Sequence, residues 1–350
     1  MKVLMVGPDR GVHGGISAVV NELYDAGLGN QIDLEYIGTM KEGSRFNKLV
    51  VAGCAFLRFL VALPSADVVH VHFSSDSSFV RKSYFIKAAH KFGKRIVLHQ
   101  HGGDFKNYYG KELDAKGRKR VKNILEMGDV MLVLTKSWKD FFSGIVDQSM
   151  IEVFPNGVRT VRCAASEEFE KDYSKILFLG RICKDKGIDE LLEAVEDIYK
   201  SGRKVKLLVG GIFEERGYRE KIASAGAFAE FIGWVSGAEK DKYLQECGIL
   251  VLPSYYEGFP VSIIEAMLRR SAVVASCVGG IPDIIDDGIN GLLVPAKDPK
   301  ALEESLIKLI DDNKLAKELG ENGRNKVVEH YSVEENIKRL IEIYTNLTCD

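Results

Sequence analysis

The sequence predicts an α/β protein of two doubly wound domains, each a parallel sheet covered by helices on both faces. Short, continuously apolar, β-branched runs alternate with amphipathic helical stretches along the whole chain. The alternation restarts once, after a strandless charged stretch near the middle. The 350 residues, 46% hydrophobic and 28% charged, are enough for two ordinary soluble cores.

In the first half the strands are read at KVLMVG, DLEYIG, DVVHVHF, RIVLHQH and VMLVLT. KILFLG, VKLLVGG, AEFIGW, GILVLPS, AVVASC and GLLVP follow in the second. Most are continuously apolar, as expected of strands buried on both faces. Between them, VFPNGVRTVRCAASEEFEKDYS (153–174) passes from Pro-Asn-Gly into charge and is read as the interdomain linker. The domains are therefore placed at 1–160 and 161–330, with a terminal helix over 331–350 that returns to the first domain. That helix has Ser332 and Glu335 in the spacing of an N-cap box, then apolar Ile337, Leu340 and Ile341. The first strand meets Gly7-Pro8 too soon to be a signal-peptide core. The longest apolar stretch, LVVAGCAFLRFLVAL (49–63), is interrupted by Arg58 and is shorter than a bilayer span. A buried helix of the first domain is the preferred reading; a helix lying on a membrane surface is the other.

Net charge is only −2, but residues 1–165 carry +7 and the remainder −9. The basic half suits an anionic surface, either a membrane leaflet or a phosphorylated substrate, or is simply a solvated charged face. The six cysteines form no CxxC pair and no disulfide framework, which fits a reducing cytoplasm. The basic residues of GKELDAKGRKRVKN are not interleaved with aromatics, so nucleic-acid binding is unsupported.

Ligands of open α/β sheets bind beyond the carboxyl ends of the strands, so chemistry is sought in the loops that leave them. After the first strand, Gly14-Gly15 opens a helix with Ser17 in its first turn, either a helix-entry turn or a place where backbone amides meet phosphate. In GRICKDKG, Arg181 ends a strand and Lys186 precedes a glycine and a helix, a pair able to clamp a diphosphate or merely solvated in a turn. In EGFPVSIIE, Pro260 is expected at the first helical position, leaving the Val261, Ser262 and Ile263 amides to face an anion. Glu257 then lies beside that anion. Glu265 sits in an apolar run, costly unless paired or functional, and its carboxylate suits a ribose diol. His70 and His72, and His99 and His101, alternate on two strands and could hold zinc; no acidic cluster joins them, so the first three are read as core and His101 as a donor to substrate. No D-x-D device for a nucleotide-bound cation occurs.

Seven of these loops, in order, resemble retaining, nucleotide-sugar-dependent glycosyltransferases of family 4 with the GT-B fold, in which two Rossmann-like domains face each other across a cleft. They are GGIS (14–17), HQHGGDF (99–105), FPNGV (154–158), FLGRICKDKG (178–187), FIGWVSG (231–237), PSYYEGFPVSIIEAM (253–267) and VGGIPDIIDDGINGLLVP (278–295). The resemblance implies catalytic roles for Glu257, His101, Arg181 and Lys186. It implies donor contacts from Gly14, Gly15, Arg181, Lys186, Gly233, Trp234, Glu257, Gly258, Phe259, Val261, Ser262 and Glu265. The diphosphate would be held by Gly15, Arg181, Lys186 and the amides after Glu257, the ribose by Glu265, and the base near Gly233-Trp234. Pro260 departs from relatives that have an amide there.

The implied activity is metal-independent, retaining hexosyl transfer from a nucleotide diphosphate sugar, a UDP-sugar ahead of a GDP-sugar, with no other cofactor. The acceptor would be a saccharide or lipid-linked saccharide of capsule, O-antigen or lipopolysaccharide assembly. The work would be cytoplasmic, at the inner face of an anionic membrane. A non-hydrolysing nucleotide-sugar epimerase and a non-catalytic nucleotide-sugar-binding paralogue are the alternatives.

Overall fold

The computed structural model describes residues 1–102, 104–160 and 170–349. Gly103 of the HGGDF loop, Cys163 and the middle of the expected linker lie outside the described residues. The chain forms two compact units, Met1–Arg159 with Val333–Asp350, and Thr160–Ser332.

The first unit is built on six strands: β1 (Lys2–Gly7), β2 (Asp33–Gly38), β3 (Val68–Phe73), β4 (Arg95–Gln100), β5 (Val130–Val133) and β6 (Ile151–Val153). All pair in parallel, in the order β2-β1-β3-β4-β5-β6. The three-residue β6 has too little sequence to signal itself. Successive side chains face opposite ways, so Leu4 and Val6 enter one core with Phe59 and Phe85, while Val3 and Met5 enter another. The second core is closed by the Val333–Cys349 helix, whose Val333, Ile337, Leu340 and Tyr344 recur at helical spacing and are buried.

Two sequence expectations change in this unit. FPNGV is part of the packed body, because Asn336 Nδ2 donates to the Pro155 carbonyl at 2.8 Å and the Val333 amide to Val158 at 3.1 Å. Phe154 and Val158 are buried there. The helix Arg45–Ala62 is also not a buried one: Ala55 and Phe59 dock, while Phe46, Leu49, Leu57 and Val61 are 73%, 73%, 65% and 83% exposed. Extended to Phe46–Ser65, mean hydropathy 1.8, it is long and apolar enough to cross a membrane, contrary to the shorter reading. The miss has a simple cause: apolar residues lie all around this helix, so periodicity could not say which face docks.

The second unit holds β7 (Asp172–Ile182), β8 (Lys206–Phe213), β9 (Ala229–Gly233), β10 (Cys247–Leu252), β11 (Ala272–Ser276) and β12 (Leu292–Val294). The sheet is parallel, ordered β12-β11-β10-β7-β8-β9. Chain order reverses between β7 and β10, and at such a switch point the outgoing loops diverge and leave a crevice for a ligand.

Candidate active site

The two loops that leave this switch point carry the predicted charges. Arg181 is the penultimate residue of β7, and a single 3₁₀ turn, Lys184–Lys186, leads into the helix Ile188–Lys200. Gly187 joins turn and helix at φ +69°, and a methyl group there would overlap the Pro253 carbonyl. β10 runs into residues 253–260, the loop bearing Glu257. From the other side Gly279, at φ +57°, packs its backbone on the Glu257 carbonyl, where a methyl group would again overlap. The loop is further tied by the Tyr255 and Tyr256 hydroxyls, which donate to Glu190 and Asp185 at 2.6 Å each, and by the Tyr255 amide, which donates to the Asp185 carbonyl at 2.8 Å. Glu257 is thus delivered by backbone contacts that only glycine permits. Replacing Gly279 with alanine is expected to cost about 1–3 kcal/mol through left-handed strain and the displaced loop. Thermal unfolding with and without a bound nucleotide would read both effects, and an unchanged midpoint would refute this packing.

Lys186 Nζ donates to Glu257 Oε1, which also accepts from Ser254 Oγ at 2.8 Å. This ion pair is largely sequestered, with side chains 13% and 12% exposed. Arg181 Nη1 meets Glu214 Oε2 at 2.8 Å, and the negative charge of Glu257 also reaches it. Burial by itself would lower the Arg181 pKa; Glu214 outweighs it, and the guanidinium is held above its ordinary value. Arg181, Lys186 and Glu257 are therefore brought together at the switch point.

The other predicted donor residues of this unit stand nearby or behind. Gly233 ends β9 at φ +80°, and Trp234 beyond it is 45% exposed. Gly258 is buried, and so is Phe259, whose ring packs edge-on against Tyr331 at 5.3 Å. The helix is Val261–Leu268, with extended Pro260 as its N-cap rather than its first residue. Ile263 N donates to the Pro260 carbonyl at 3.2 Å, which corrects the expected set of anion-facing amides to Val261 and Ser262. Glu265 accepts from Lys240 Nζ at 2.5 Å. The sequence reading missed Lys240, for 25 residues separate it from its partner and no local pattern links them.

In the first unit, Gly14 is the N-cap of the helix Gly15–Asp25, and a Cβ at either glycine would meet no atom within 4 Å. Nothing packed around these two positions demands glycine. His101 follows β4, its amide donating to Phe73 at 2.9 Å. It stands at the end of a histidine column. Tyr344 OH lies 2.5 Å from His70 Nδ1, His70 Nε2 lies 3.2 Å from His99 Nδ1, and His72 Nδ1 lies 2.8 Å from His101 Nε2. Burial holds all four rings neutral: His70 and His101 fall to about 3, and His72 and His99 well below the ordinary range. His70, His72 and His99 each bring a ring nitrogen within 4.8 Å of the others. Their rings lie 16°, 22° and 30° from parallel, and two of these nitrogens, His70 Nε2 and His99 Nδ1, already face each other. Beside the column, buried Lys82 donates to Thr39 and its charge reaches His72; sequence reading missed this residue too.

The chain is similar to known proteins. Residues 163–326 match the family described as glycosyl transferases group 1. The second unit is a glycosyl transferases group 1 domain. Over 288 residues the chain is 28% identical to the uncharacterized glycosyltransferase MJ1178 of Methanocaldococcus jannaschii, covering 81% of this chain and 76% of that one. It is 32% identical to the capsular polysaccharide biosynthesis glycosyltransferase CapM of Staphylococcus aureus over 178 residues, 48% of this chain and 46% of CapM. The fold is that of Anabaena Alr3699/HepE, solved with UDP and glucose: TM-score 0.77 at 16% identity, covering 99% of each chain. The two parallel sheets thus correspond to the two Rossmann-like domains of the GT-B fold.

Proposed function

We propose that this glycosyltransferase moves a hexosyl group from a nucleotide diphosphate sugar to a saccharide or lipid-linked saccharide, with retention and without an essential metal. The observation that carries the reading is the convergence of Arg181, Lys186 and Glu257 where β7 and β10 part. As the bond from the anomeric carbon to the β-phosphate oxygen breaks, charge grows on that oxygen. Arg181 and Lys186 oppose it, aided by the Val261 and Ser262 amides at the start of their helix. Lys186 has three N–H donors and spends one on Glu257, so two remain for phosphate. Glu257 accepts from the sugar hydroxyls. Glu265 binds the ribose, the base lies near Gly233 and Trp234, and the Gly14-Gly15 turn and His101 touch the donor. The acceptor oxygen bonds to the anomeric carbon on the face the phosphate leaves, and its proton passes to the departing phosphate oxygen. Because side chains supply the positive charge, turnover is expected to persist in excess chelator; its abolition would overturn metal independence.

HepE is a UDP-binding neighbour, and a UDP-sugar is the preferred donor here. Thermal shift against UDP-, GDP-, ADP- and CMP-sugars tests this. The likeness to a capsule enzyme supports a cell-surface polysaccharide acceptor. The exposed apolar stripe of Arg45–Ala62, beside the basic first half, supports work at the inner face of an anionic membrane. Flotation with liposomes that does not depend on anionic lipid would remove the membrane. Release of free nucleoside diphosphate is expected only with acceptor present; an epimerase or a binding paralogue would not show that dependence.

A further inference from the structure

We propose that Lys240 is a positioning residue for the nucleotide ribose, fixing the Glu265 carboxylate so that its second oxygen is presented to the sugar diol. The inference rests on the assignment of Glu265 to the ribose. Lys240 comes from the helix Gly237–Glu246 and Glu265 from Val261–Leu268. They meet at 2.5 Å through Oε1, with side chains 27% and 23% exposed, neither sunk in the core nor free in water. No other hydrogen bond to the Glu265 side chain occurs among the described residues. One carboxylate oxygen is therefore held by a cation and the other is left as an acceptor.

A glutamate has three rotatable bonds, and its freedom must be lost before it can accept from two hydroxyls at once. The ion pair removes that freedom before the nucleotide arrives and keeps the carboxylate tolerable between buried Ile264 and Ala266. The same two helices are joined a turn further on by Arg269 and Asp241 at 3.0 Å. This second pair has opposite polarity and involves no residue assigned to the donor, so it serves as an internal control. If Lys240 only fastened one helix to the other, losing either pair would have the same kind of consequence.

The test compares binding of UDP with 2′-deoxy-UDP, and of GDP with 2′-deoxy-GDP, by calorimetry on the full chain. Wild type is expected to favour the ribose form by about tenfold or more, the weight of a hydrogen bond to a charged acceptor. Lys240→Met is expected to reduce that preference to within about twofold, with Lys240→Gln as the second variant should the first fail to fold. Lys240→Arg and Asp241→Asn are expected to keep it, whatever they do to the unfolding midpoint. A Lys240→Met protein that keeps the full preference overturns the role of Lys240 and leaves Glu265 on the ribose. A wild type that binds the diphosphates but shows no preference takes Glu265 off the ribose and overturns both. Loss of preference in Asp241→Asn reduces Lys240 to a fastener.

Discussion

Turnover is expected to fall by about a hundredfold or more when Arg181 or Lys186 is replaced by alanine. On the proposed mechanism the effect is large because each cation would face charge that develops only as the donor bond breaks, in a place where Lys186 is nearly shut off from water. The two substitutions are not equally clean. Arg181 leaves behind Glu214, which is 44% exposed and can be solvated, so little stability is lost. Lys186 leaves behind Glu257, which is 12% exposed and keeps only the Ser254 hydroxyl, so some of the loss will come from a disturbed loop. Steady-state kinetics on Arg181→Ala, with a far-ultraviolet spectrum to certify the fold, is therefore the decisive measurement. A drop in kcat larger than any rise in KM is the mark of charge stabilised in the transition state. Unaltered turnover would refute the clamp.

Acid is expected to unfold the first unit over a window set by its histidine column. Unfolded histidines take up protons near 6.5, while in the folded chain His70 and His101 do so only at about 3. His72 and His99 are pushed down in the same direction by burial and by one another. Between those limits the unfolded chain binds protons that the folded chain refuses, so stability is intact above pH 6.5 and is lost as pH falls. Well below pH 6.5 each histidine contributes a slope of up to about 1.4 kcal/mol per pH unit, and four together up to about 5.5. The groups facing the column add no relief: Tyr344 is a phenol whose pKa burial raises, Lys82 is a cation, and no carboxylate shifts the column. Ordinary carboxylates titrate near 4, so urea unfolding between pH 6.5 and 5 isolates the histidines. A flat profile across that range would show that the rings are not buried neutral.

Much of this molecule is legible in its sequence because the signals are local. A strand buried on both faces is apolar throughout, which makes most of the strands among the described residues readable; β6, three residues with Glu152 at its centre, is not. Loops after the strands could be searched for cations and carboxylates, which is how Arg181, Lys186 and Glu257 were singled out. Long-range pairing has no such signal. Lys240 and Lys82 were invisible because their partners, Glu265 and Thr39, come from other elements. The four histidines showed as two strand pairs, but parallel pairing of β3 with β4 was needed to stack them into one neutral column.

By itself the sequence determined the two parallel sheets and the chemistry of the loops that leave them, since hydrophobic period and residue type act within a few neighbouring positions. Only the tertiary structure decided which charge meets which. It set Lys186 on Glu257, Arg181 on Glu214 and Glu265 on Lys240. It also turned the apolar face of Arg45–Ala62 outward. The reason is physical: an ion pair or a docked helix face depends on distances between elements remote in the chain, and those exist only once the sheets have brought the elements together.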